Sequence, residues 1–207
     1  MMKWLKEQNR LAKEFVHGDL SSQLWMAGVS FTVLLVLGFV LGIVLKDFAA
    51  SFVGFFSNNL AASGIMDEDG TIRILPLLAN NIRASIATIA YGLIPFLYLP
   101  ALSLGINSLL IGFFAAFYLK NGMSMLYFCA AIIPHGIFEI PALVISIGLG
   151  LYLCRTINDF ARHNTKGAVT AAVQDILRAL CLRAVPLFVI ASVIECYITP
   201  WIVSFIK

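Results

Sequence analysis

Residues 24–45 run without a single charged side chain. At 1.5 Å per residue, a helix of that length covers the ~30 Å hydrocarbon core of a bilayer. A soluble fold cannot bury such a run on every side, and four more long apolar stretches follow it. Hydrophobic residues make up 60% of the 207 and charged residues 12%, against about 45–50% and about 25% in soluble domains. Too few polar side chains are present to clothe a soluble surface. The net charge of +3 comes from 14 Lys and Arg against 11 Asp and Glu. That balance is too mild to point to nucleic acid, and the lipid bilayer is the expected partner.

The expected fold is an all-α membrane bundle of about five transmembrane helices, over residues 24–45, 77–99, 101–119, 124–153 and 183–205. Residues 23–207 then form one transmembrane domain. Ahead of it, residues 1–22 place Lys3, Lys6, Arg10 and Lys13 beside Trp4, Leu5, Leu11 and Phe15. That pattern reads as a cytoplasmic amphipathic helix on the membrane surface. The first apolar run lies too far from the start to be a cleaved signal, so it is expected to be a retained span. Between spans one and two, residues 48–60 are apolar but too short to cross. A second interfacial helix is expected there, ahead of the acidic turn Asp67-Glu68-Asp69-Gly70. Pro95 and Pro100 mark a tight hairpin between spans two and three. Pro134 and Pro141 fall inside span four, which is therefore expected to kink or break. Cys129, Cys154, Cys181 and Cys196 lack metal-ligand spacing and read as buried, reduced thiols.

Orientation follows from the basic residues. They crowd the N-terminal segment and the loop before span five, with Arg155, Arg162, Lys166, Arg178 and Arg183. The loop after span one sets Lys46 and Arg73 against Asp47, Asp67, Glu68 and Asp69. Basic short loops stay in the cytoplasm, which puts the N-terminus inside, the C-terminus outside and the protein in the cell membrane.

Four ionisable residues remain inside the spans: Arg83, His135, Glu139 and Glu195. Each is costly in lipid, so each must face protein or water. His135 and Glu139 share a helix face at four-residue spacing. Asn80, Asn81 and Asn107, with the kink positions Pro134 and Gly136, support the group. One reading has these side chains bond one another and fix the bundle. A second has His135, Glu139 and Glu195 line a path for protons or cations. A third has them bind a metal for hydrolysis, but one His with two carboxylates is a thin zinc set and no HExxH occurs. No metal, no cofactor and no catalytic residue is expected.

The stretch Pro134-His135-Gly136-Ile137-Phe138-Glu139, followed by Glu195 and then Thr199-Pro200, resembles the stage II sporulation protein M family. Asn80 or Asn81 and Asn107 fit the same pattern across residues 77–201. The family often has Asn-Gly in its third span where this chain has Asn107-Ser108. The resemblance implies a five-span membrane protein. In endospore formers the family's namesake recruits two partner proteins that degrade peptidoglycan. It implies here a non-enzymatic scaffold that assembles protein partners at the membrane as a homo-oligomer. An ion- or proton-coupled transporter or channel built on the His/Glu cluster is the alternative.

Overall fold

The computed structural model of the protein describes residues 2–67, 70–95, 97–163 and 167–206. Among these, α1 is Met2–His17, α2 Ser21–Val44, α3 Lys46–Ala62, α4 Ile74–Ala90, α5 Leu99–Lys120, α6 Met125–His163 and α7 Ala168–Ser204. The β pairing among the described residues is an isolated bridge between Met66 and Ile72. A bilayer offers backbone groups no water, so each segment must satisfy its own hydrogen bonds. That demand makes α2 helical although valine is a modest helix former in water. Its Val29, Val33, Val36, Val40 and Val44 stay exposed, which is the surface a lipid-facing helix presents. The protein is an all-α membrane protein.

Helices α2, α5, α6 and α7 are long and apolar enough to cross a membrane. The 17-residue α4 covers about 25 Å, and a 3-10 turn at Tyr91–Leu93 extends it. The helix expected to run to residue 99 thus ends earlier, and a short connection leads into α5.

The bundle has two distinct ends. At one, α1 lies against the first turns of α7, where Arg178 donates to Gln8 Oε1 and Arg183 to the Asn9 carbonyl, both at 2.8 Å. Phe15 of α1 is buried there against the edge of Tyr152 of α6. At the other end, α3 brings Phe48 and Phe52 to within 5.9 and 5.4 Å of the Phe113 ring on α5. The Gly70 amide donates to the Asp67 carbonyl, and Arg73 sits 3.6 Å from the Asp67 carboxylate. Glu68, Asp69 and Lys166 lie outside the described residues.

Helix α6 is unbroken, and the π turns fall in α7. Helix α6 runs through Pro134 and Pro141 without a break, because α2, α4, α5 and α7 all pack on it and hold its course. Helix α7 instead carries two π turns, Leu180–Ala184 and Ile194–Ile198. Each stands just ahead of a proline, Pro186 or Pro200. A proline lacks the N–H for the carbonyl four residues back and clashes with it, and widening the preceding turn relieves the clash. Helix α7 also starts well before the expected 183, because its amphipathic first turns have α1 to cover them. Cys181 lies on that segment and is exposed, not buried.

Small residues set the closest helix contacts. A Cβ on Gly38 of α2 would stand 2.6 Å from the Leu109 carbonyl oxygen of α5. One on Gly150 of α6 would stand 2.8 Å from the Thr88 carbonyl oxygen of α4. Around Gly150 the core is tight: Leu149, Leu153, Phe188 and Ala184 are buried together.

Candidate functional site

His135 and Glu139 lie one turn apart on a regular stretch of α6 and so face the same way. Helix α7 passes that face with Glu195, which sits in the π turn ahead of Pro200. Ligand atoms of the three side chains lie within 4.8 Å of one another. His135 Nε2 is 3.9 Å from Glu139 Oε2, and His135 Nδ1 is 3.5 Å from Thr199 Oγ1. Both separations exceed those of a well-made hydrogen bond, so neither ring nitrogen is saturated. His135 is 9% exposed, whereas the Glu139 side chain keeps 33% of its surface.

Glu139 stays accessible because it borders a cavity of about 270 Å³. Helix α4 supplies Asn80 and Asn81 to its wall, α5 supplies Asn107, α6 supplies Gly136 with the His–Glu pair, and α7 supplies Glu195. Phe56 and Ile65 flank it at the α3 end, and Leu143 underlies it one turn past Glu139. No lysine or arginine is among the lining residues. The Asn81 side-chain nitrogen is buried with no hydrogen-bond partner among the described residues. Asn107 donates its amide to the Ser103 carbonyl at 2.8 Å, which leaves its oxygen as the free end.

Arg83, expected as a fourth member of the buried group, stands apart. Helix α4 turns Leu77, Asn81 and Ser85 inward at four-residue spacing. Arg83 is two residues from both Asn81 and Ser85, about 200° around the helix, and is exposed. Pro134 is half-buried and does not line the cavity. Thr199 was not singled out as a site residue. Its position one turn after Glu195, on the same face, was the available signal.

Beyond Leu143 the polar groups change character. Ser85 of α4 and Ser146 of α6 hydrogen-bond each other, and Ser146 also donates to the Ala142 carbonyl at 2.8 Å. Thr88 and Ser103 pair at 2.9 Å. Chemically, the cavity offers one imidazole, two carboxylates and three amides, a set of acceptors suited to a proton or a cation.

A family model described as stage II sporulation protein M matches residues 27–200. An uncharacterized protein of Methanocaldococcus jannaschii is 29% identical over 172 residues, covering 79% of this chain and 96% of that protein. A second uncharacterized protein of the same organism is 28% identical over 137 residues, covering 65% of this chain and 59% of the relative. No solved structure matches.

Proposed function

The chain belongs to the stage II sporulation protein M family, and from that premise we propose a non-enzymatic membrane protein that admits a proton or small cation into its cavity and couples it to transport. The observation that carries the reading is the cavity reaching His135, Glu139 and Glu195. Polar residues that served packing alone would bond one another and leave the bundle dry. Here the His–Glu separation of 3.9 Å and the unpartnered Asn81 nitrogen favour an occupant. In this reading the α3 end faces outside and the α1–α7 end the cytoplasm, following the basic loops. The cavity then lies in the outer half of the membrane. The test is flux into liposomes holding the purified protein, across a proton and a sodium gradient. Wild type is expected to conduct and Glu139→Gln to fall to background. Absence of flux from folded, inserted wild-type protein rejects the reading.

A scaffold that assembles partner proteins, working as a homo-oligomer, is the second reading. A groove between α1 and α7 favours it, with Trp4, Leu5, Leu177 and Cys181 exposed along it. Exposed apolar grooves of this kind take partner side chains. Leu177→Glu is expected to abolish co-purification of any partner while leaving flux intact.

A further inference from the structure

We infer that the cavity is a binding site for a divalent first-row transition-metal ion, held by His135 Nε2 and one carboxylate oxygen each from Glu139 and Glu195. Asn107 Oδ1 or a water completes the set. This rests on the reading of the cavity as a cation site and names the cation's class.

Charge is the first argument. Two carboxylates and an imidazole converge within 4.8 Å, and among the described residues neither lysine nor arginine lines the cavity to offset them. Arg83, the basic side chain on the nearest stretch of α4, faces away and is exposed. A divalent ion neutralises two carboxylates at once, where a proton neutralises one.

The donor set gives the class. Calcium takes six to eight oxygen ligands and has no use for the imidazole. Copper(I) and iron–sulfur centres call for thiolates, and no cysteine lines the cavity. One imidazole with carboxylate and amide oxygens suits manganese, iron, cobalt or zinc. Around zinc, bond lengths of about 2.0–2.2 Å put ligand atoms roughly 3–3.5 Å apart. Rotation of the flexible Glu139 and Glu195 side chains closes the gaps to that distance.

The neighbours complete a second layer. Thr199 Oγ1 stands opposite the proposed ligand atom of His135, 3.5 Å from Nδ1. Closing that gap to hydrogen-bond distance would fix the ring and leave Nε2 for the metal. The buried amide nitrogen of Asn81 has no acceptor among the described residues. A water bound to the metal, or a carboxylate oxygen drawn toward it, supplies one.

The test is metal binding to the full-length protein in detergent after chelator stripping, by equilibrium dialysis with Zn²⁺ and by visible absorption with Co²⁺. The expected result is one ion per chain, with weak Co²⁺ bands and no thiolate charge-transfer band. His135→Ala and Glu195→Gln are each expected to weaken binding by about tenfold or more, and Arg83→Ala to leave it unchanged. Glu139→Gln/Glu195→Gln, nearly isosteric, serves as the fold-preserving variant, checked by circular dichroism. Substoichiometric binding to wild type, or stoichiometric binding that survives the double variant, overturns the site. Proton flux that needs Glu139 but no bound metal overturns the site and keeps the transport reading. Bound metal without flux keeps the site and removes the transport reading.

Discussion

Glu139 and Ser146 sit two turns apart on one face of α6, yet they meet opposite surroundings. Ser146 is fully buried, bonded to Ser85 and to its own helix, among Leu149, Leu153 and Phe188. Glu139 looks into a cavity where the Asn81 amide nitrogen has no partner among the described residues. The difference is one of satisfaction. Small hydroxyls bond across a close helix contact and let the bundle shut, whereas carboxylates with no lysine or arginine beside them are costly to enclose. Toward the α1 end the polar side chains pair across close helix contacts, and toward the α3 end the carboxylates border a cavity.

Substitutions test that contrast in order of size. Phe188→Ala, in the dry half, removes a 2% exposed ring and is expected to cost about 3–5 kcal/mol, read from unfolding in detergent by tryptophan fluorescence. A loss below ~1 kcal/mol means the dry half is not tightly packed. Gly150→Ala pushes a methyl onto the α4 backbone and Pro100, and about 1–3 kcal/mol is the expected loss. A matched change on the cavity side, Gly136→Ala, places its methyl in ordinary contact, 3.6 Å from Ile140 Cδ1. Thermal melts should put it within ~1 kcal/mol of wild type, with the gain in helix propensity in its favour. Should Gly136→Ala cost as much as Gly150→Ala, the two halves do not differ. Glu139→Gln is expected to leave stability equal or slightly raised, by under ~1 kcal/mol, while removing flux and metal. Ser192→Ala deletes a buried hydroxyl with no partner among the described residues. The melting midpoint is expected to hold or rise a little, and a clear drop would place an unseen partner on that oxygen.

Much of this was legible in the chain itself. The charge-free runs led to a membrane bundle because a bilayer leaves helix as the way to satisfy an apolar backbone. The four-residue spacing of His135 and Glu139 put them on one face, and the rarity of ionisable residues in the spans drew attention to Glu195. Arg83 was equally rare but fell on the wrong side of α4, a matter of phase that the inward Asn81 and Ser85 settle. The prolines do not break α6, where Pro134 and Pro141 sit inside one helix packed by four neighbours, while Pro186 and Pro200 each follow a widened turn of α7.

The sequence by itself determined the class of fold and the presence of polar groups deep within it, because burial costs in lipid are large and local. Only the tertiary structure decided which of those groups meet, that Arg83 stays apart from them, and that they border a cavity. Convergence across α4, α5, α6 and α7 depends on helix phase, close glycine contacts and a π turn, and none of these is fixed by any one segment.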